Sequence, residues 1–191
     1  PTKNLGTFGD GGCVVTSSPH PAERLRSNRD YGWKARYMSD VPGINTRLDE
    51  LHAAFLNVLL PELEAKNARR RAIAAIYAEG LAGVPDLVLP TIPHAVEPVF
   101  HLYVVRHPQR DSLMQGMKEK GVGTAIHYPA PVHKQKAYQG RIPLAPGGLP
   151  VTESLAGQIF SLPMFPELSD DDAHRVIAAL RSSLTHTEPR A

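Results

Sequence analysis

Val99-Phe100-His101-Leu102-Tyr103-Val104-Val105 is the strongest strand signal in the chain, rich in β-branched and aromatic residues with loop signals on both sides. Arg110 to Lys120 follows with helical periodicity and stops at Gly121, and Val122 to Tyr128 reads as another strand. Strand, helix, strand in this order predicts a mixed α/β layer with its own small core. Further on, residues 129–150 carry Pro129, Pro131, Pro143, Pro146, Gly147, Gly148 and Pro150 and form a long loop. Thr152 to Phe160 is expected to be helical and Leu162-Pro163-Met164-Phe165-Pro166 extended. Ser169 followed by Asp170, Asp171 and Asp172 starts a last helix, because hydroxyl and carboxylate oxygens accept from the free amides of a first turn. Its apolar stripe is Val176, Ile177, Leu180 and Leu184, and the tail from Thr185 is expected to fray.

Toward the start of the chain, the proline- and glycine-rich stretch from Gly80 to Pro98 marks a boundary. Before it, Leu48, Leu51, Phe55, Val58 and Leu59 recur at helical spacing and should pack on a core. Pro61 interrupts that stripe and either kinks the helix or opens a second one. Leu63, Ile73, Ile76, Tyr77 and Leu81 resume the apolar face, with Lys66 and Arg69-Arg70-Arg71 opposite. Three adjacent arginines would suit an anion site, but a solvated helix face is the simpler expectation. Residues 30–46 read as loop, and Pro21 to Arg29 as a short helix with Ala22 and Leu25 inward. Residues 1–12 form a glycine-rich loop leading into a short buried strand, Cys13-Val14-Val15-Thr16.

Composition narrows the function. The 191 residues are 42% hydrophobic and 21% charged, which is ordinary for a folded chain able to bury a core. A formal net charge of +2 gives no electrostatic ground for nucleic acid or an anionic membrane as partner, so a small molecule or a protein is expected. The chain carries neither an apolar run of membrane-spanning length nor a signal segment at its start, and its one cysteine, Cys13, fits a reducing compartment. A cytoplasmic protein is expected. The start at Pro1, without methionine, suggests a sequence cut from a longer one.

The run Gly6-Thr7-Phe8-Gly9-Asp10-Gly11-Gly12 matches neither the dinucleotide fingerprint nor the Walker pattern, and it leads into a strand instead of a helix. In isolation its glycines permit a tight turn, and Lys3 ahead of it is unremarkable. Taken with the wider text, however, Pro1-Thr2-Lys3-Asn4-Leu5-Gly6 and Gly9-Asp10-Gly11-Gly12 closely resemble the active-site lysine segment of the DegT/DnrJ/EryC1/StrS sugar aminotransferases. Arg29-Asp30-Tyr31-Gly32 resembles that family's Asn/Asp-Tyr-Gly element, and Gly43-Ile44-Asn45-Thr46-Arg47-Leu48-Asp49-Glu50-Leu51 its Gly-x-Asn-x-Arg-Leu-Asp-Glu-Leu signature. Thr124-Ala125-Ile126-His127-Tyr128-Pro129, with Pro131, His133 and Ala137-Tyr138, is similar to its His-Tyr-Pro loop. Leu149-Pro150-Val151-Thr152-Glu153 and Ser161-Leu162-Pro163-Met164-Phe165-Pro166 resemble its closing segment. The blocks stand in family order and cover essentially the whole chain.

The resemblance implies an α/β fold type I enzyme dependent on pyridoxal 5′-phosphate, with Lys3 as the catalytic, cofactor-bound residue. A lysine suits that position because a neutral amine adds to an aldehyde and can later carry protons, which a guanidinium cannot do. Asn45 resembles the asparagine that reaches the cofactor phosphate of the neighbouring subunit, although a helix cap would be an equally good use of it. Arg47 is a candidate for an anionic part of the substrate, its alternative being a salt bridge with Asp49 or Glu50. His127 and Tyr128 are expected to line the nucleotide-sugar pocket; His133, Tyr31 and Asp10 rank below them. No metal is expected.

The family segments that normally precede the lysine are missing, including the main-sheet strands, the ring-stacking aromatic residue, the phosphate-side serine and the carboxylate that holds the pyridinium proton. The chain is therefore read as the C-terminal half of such an enzyme and is expected to be inactive by itself. Residues 1–82 would complete the large cofactor domain with its exit helix, and residues 83–191 would be the small α/β domain. The implied reaction moves an amino group from glutamate to a nucleotide-linked keto-sugar, leaning to C3, in a homodimer. A non-catalytic folding or interaction module, or a related dehydratase or epimerase, are the alternatives.

Overall fold

The structure is a computed structural model that describes residues 2–184; the expectation for the tail from Thr185 lies outside the described residues. The chain divides into two compact units at Glu64/Ala65. No described helix is long and apolar enough to cross a membrane.

The second unit carries the core. It is built from α3 (Leu63–Gly80), which begins just before it, β3 (Tyr103–Arg106), α4 (Arg110–Glu119), α5 (Pro150–Ala156), β4 (Ile159–Leu162) and α6 (Asp170–Leu184). β3 and β4 pair antiparallel, Val104 opposite Ser161 and Val105 opposite Phe160. Single bridges extend the sheet on both sides, Val88 to Arg106 and Ala125 to Ser161. The predicted strand over 122–128 thus shrinks to one paired residue, Ala125, between Gly123 and the bend before Pro129.

The strand expected from Val99 starts only at Tyr103, and the reason is Arg70. Its guanidinium donates to the carbonyls of Phe100 (3.1 Å), His101 (3.3 Å) and Met164 (3.0 Å), which takes the first two out of any ladder. Phe100 bends the chain there with a φ of 41°. The arginine run is accordingly neither an anion site nor a solvated face. Arg70 is 7% exposed, Arg69 binds Asp170 at 2.6 Å and also the Leu168 carbonyl, and Arg71 pairs with Glu97 at 3.1 Å. Burial lowers the Arg70 pKa from its ordinary value, opposed by the charge of Glu167.

Helix limits follow local chemistry. α5 stops at Gly157, earlier than the expected Phe160, which instead enters β4 and is fully buried. At the head of α6 the Asp172 amide donates to Ser169 Oγ at 3.0 Å, the hydroxyl cap that the sequence predicts, while the Asp172 carboxylate accepts from that hydroxyl at 2.8 Å instead of from an amide. Val176, Ile177 and Leu180 of α6 join Ile73 and Tyr77 of α3, Tyr103 and Val105 of β3, and Leu113 and Met117 of α4 in one core. Each large side chain so buried contributes about 1.5–3 kcal/mol. Tyr77 Oη donates to the Pro163 carbonyl at 2.8 Å, and burial pushes the Tyr103 phenol up to about 12.

His107 adds a pH dependence to this core. Only 4% exposed, its Nδ1 accepts from the Gln109 amide at 3.0 Å. Burial lowers its pKa below the ordinary 6.5, against the raising influence of Asp86 and of a hydrogen bond to the Pro85 backbone. A depressed histidine means that the unfolded chain takes up the proton first. Stability is therefore full above pH 6.5 and falls as the pH drops from there toward the folded-state value. Melting temperatures between pH 5 and 7.5 should decline less steeply in His107→Gln than in the parent; equal slopes would contradict this.

The first unit contains α1 (Pro19–Asn28), the two-stranded β1 (Trp33–Ala35) and β2 (Met38–Ser39), and α2 (Glu50–Leu59). Pro61 lies in a 3₁₀ turn, Leu60–Glu62, between α2 and α3, so it both interrupts the one and opens the other. Among the described residues before Ala65 only Gly32 is buried. Several sequence expectations fail for that reason. Cys13–Thr16 is not a strand but exposed chain, with Val15 89% exposed. Leu25 of α1 and Leu51, Phe55 and Val58 of α2 are likewise exposed.

Candidate functional site

The residues singled out by the sequence fall into two groups, one in each unit. In the first unit, residues 28–31 and 44–46 run antiparallel. The amides of Tyr31, Ile44 and Thr46 donate to the carbonyls of Ile44 (3.1 Å), Asn28 (2.8 Å) and Arg29 (3.0 Å), and Asp30 bridges Asn45. Two glycines make this approach possible. A Cβ on Gly43 would lie 2.0 Å from the Gly32 nitrogen, and one on Gly32, at φ +71°, would lie 1.7 Å from the Val41 carbonyl oxygen.

The pairing assembles a small polar constellation. Asn45 Nδ2 donates to Tyr31 Oη at 3.0 Å, and Arg47 Nε donates to Asn45 Oδ1 at 3.1 Å. Arg47 Cζ lies 5.6 Å from the centre of the Tyr31 ring, and its Nε is 3.6 Å from Asp30 Oδ1. The carboxylate partner of Arg47 is thus Asp30, not the expected Asp49 or Glu50. Nor is Asn45 a cap: α2 begins at Glu50, after Asp49, two residues beyond Leu48, where its apolar pattern starts. Asn45 and Arg47 are both exposed, and each carries further N–H donors that could meet an oxyanion.

Lys3 and Asp10 are exposed on the loop of residues 2–12 in the same unit. That loop rests on α2: the Phe8 and Phe55 rings lie 4.1 Å apart, and Gly9 and Gly11 approach His52 and Leu48. The glycine turn therefore supports the segment bearing Lys3, and nothing about it forms a phosphate cradle at a helix end.

In the second unit, His127 and Tyr128 follow the Ala125 bridge, with ring centres 5.5 Å apart; Tyr128 is exposed and His127 half-buried. His127 Nδ1 lies 2.9 Å from Ser161 Oγ. Further along the loop, His133 Nε2 is 2.9 Å and Lys134 Nζ 3.0 Å from the two carboxylate oxygens of Glu153 on α5. These partners, His133 first, hold the Glu153 carboxyl below its usual range. The clamp fastens the loop that bears Tyr128 to the start of α5. Ser161 and Glu153 lie within the sequence blocks 161–166 and 149–153, yet nothing in their local pattern singles out either side chain. No group of three metal-ligating side chains occurs among the described residues.

Comparison with known proteins agrees with this arrangement of blocks. The DegT/DnrJ/EryC1/StrS aminotransferase family model matches residues 1–181. A dTDP-3-amino-3,4,6-trideoxy-alpha-D-glucose transaminase of Streptomyces venezuelae is 48% identical over 95% of this chain and 48% of its own length. A UDP-N-acetyl-3-dehydro-alpha-D-glucosamine 3-aminotransferase of Acidithiobacillus ferrooxidans is 41% identical over 96% and 49%. The crystal structure of S. venezuelae DesV in complex with a ketimine intermediate superposes with a TM-score of 0.92 at 46% identity, over 98% of this chain and 50% of that one. The chain spans about half the length of the curated relatives it matches. With the family model covering nearly every residue and the fold reproduced at that similarity, the chain belongs to the DegT/DnrJ/EryC1/StrS aminotransferase family.

Proposed function

We propose that the protein bearing these residues is a pyridoxal 5′-phosphate-dependent transaminase that moves the amino group of glutamate onto C3 of a nucleotide-linked keto-sugar. The observation that carries this reading is the exposed Lys3, on a loop held against α2, in the same compact unit as the exposed amide and guanidinium of Asn45 and Arg47. These residues fit the cofactor: an accessible amine suits its aldehyde, and N–H donors suit its phosphate or a substrate anion. When bound, the cofactor supplies the aldehyde and the electron-withdrawing ring on which amine exchange depends.

The chain's own residues then have distinct tasks. Lys3 is the residue that would hold the cofactor, and its Nζ would carry protons at the reacting carbon. Asn45 donates its amide to the cofactor phosphate of a partner subunit, which makes a homodimer the working form. Arg47, braced by Asp30 and stacked near Tyr31, takes an anionic group of the substrate. His127 and Tyr128 contact the sugar nucleotide. The exposed apolar side chains of the first unit, Val14, Val15, Leu51 and Val58 among them, support an assembled state, since monomers rarely leave so much apolar surface in water. Residues 1–82 act with the large cofactor domain and residues 83–191 as the small one, and the setting is cytoplasmic, where the free thiol of Cys13 would persist. The lean to C3 is supported by relatives named for 3-amino and 3-dehydro sugars.

The test supplies glutamate with dTDP- or UDP-linked 3-keto-sugars and follows 2-oxoglutarate. Its formation in step with a 3-amino-sugar is expected. A dehydrated or epimerised sugar without 2-oxoglutarate would overturn transamination, and no uptake of the cofactor would favour a non-catalytic module.

A further inference from the structure

Ser161 sits between Phe160 and Leu162, whose side chains enter the core, so strand alternation turns it to the other face of β4. It is nevertheless only 4% exposed. The segment that leads to His127 pairs with it along the strand edge: the Ser161 amide donates to the Ala125 carbonyl at 2.7 Å, and the Ala125 amide returns a bond of 3.3 Å to the Ser161 carbonyl. Two residues beyond that bridge the His127 ring comes to lie against the hydroxyl, Nδ1 to Oγ 2.9 Å. A buried hydroxyl needs a hydrogen-bond partner, and the partner in place is the ring nitrogen. A hydroxyl that donates to Nδ1 selects the tautomer whose proton sits on Nε2.

We propose that Ser161 is a positioning residue: it fixes the orientation and tautomer of His127 so that Nε2–H is presented as a donor to an oxygen of the nucleotide-sugar. This deepens the transaminase reading and rests on it. The ligand chemistry is an oxygen acceptor, either a sugar hydroxyl or the diphosphate. Ser161 itself touches neither substrate nor cofactor, and acts only through the ring.

The test separates the two half-reactions in the intact protein. In Ser161→Ala the KM for the keto-sugar nucleotide should rise about five- to tenfold, while the rate at which glutamate converts the bound cofactor stays within twofold. Ser161→Thr, which keeps the hydroxyl, should restore KM, and Ser161→Ala should add little to His127→Ala. Weakened inhibition by the nucleoside diphosphate alone would assign the contact to the diphosphate; unchanged inhibition would assign it to the sugar. Independently of turnover, ¹⁵N spectra of the unsubstituted protein should show the Nε2-protonated tautomer of His127, which keeps the test decisive if the alanine variant does not fold. A proton on Nδ1, an unchanged KM, or an equal fall in both half-reactions would overturn the proposal. A parent protein whose cofactor does not respond to glutamate would instead overturn the transaminase reading.

Discussion

Replacing Lys3 with alanine should abolish turnover, by on the order of 10⁴-fold or more, while leaving the fold intact. Lys3 is exposed on a loop anchored elsewhere, through Phe8 on Phe55, so the change leaves that anchor in place. A substitution of that kind shifts stability by about 0.5 kcal/mol or less. What the change removes is the amine proposed to add to the cofactor aldehyde. Lys3→Arg should be equally inactive, because it retains the charge but cannot add to an aldehyde. Circular dichroism and melting temperature should match the parent in both variants. Turnover retained in either would mean that the amine has no covalent duty.

The second large effect concerns stability. Arg70→Met should lower the free energy of unfolding of the intact protein by about 3–5 kcal/mol, read from the midpoint of a urea transition. Methionine fills a similar volume but leaves the carbonyls of Phe100, His101 and Met164 without their donor. Those carbonyls belong to the entry into β3 and the exit from β4, so one guanidinium fastens α3 to both strands. Replacing a whole buried ion pair by well-packed apolar groups is often neutral or stabilising. Here the partners are backbone carbonyls that remain behind, which tips the balance toward loss. Arg70→Lys, with a single charged nitrogen, should fall between the two. A methionine variant as stable as the parent would show that those bonds are replaceable by water.

Much of the second unit is legible in sequence because its elements obey local rules that tertiary packing then satisfies. The Ser169 cap, the Val176-Ile177-Leu180 stripe and the α4 span between Arg110 and Glu119 are of this kind. The strand before Tyr103 is misread since a side chain thirty positions earlier, Arg70, takes the carbonyls a ladder would use. In the first unit periodicity overstates burial: Leu51 and Val58 have helical spacing, but burial depends on a facing surface that spacing alone cannot supply. At the site, Asn45, Arg47, His127 and Tyr128 were visible as motif members. Their geometry was not: the Asn45–Tyr31 bond needs the Gly32–Gly43 contact, and the Ser161–His127 bond spans thirty-four residues.

The account turns on Lys3. The most direct measurement is to load the intact protein with pyridoxal 5′-phosphate, reduce it with borohydride, digest it and locate the modified residue by mass spectrometry. A pyridoxyl group is expected on the peptide containing Lys3, at one per chain. Labelling confined to other lysines, or no stable label at all, would contradict the account.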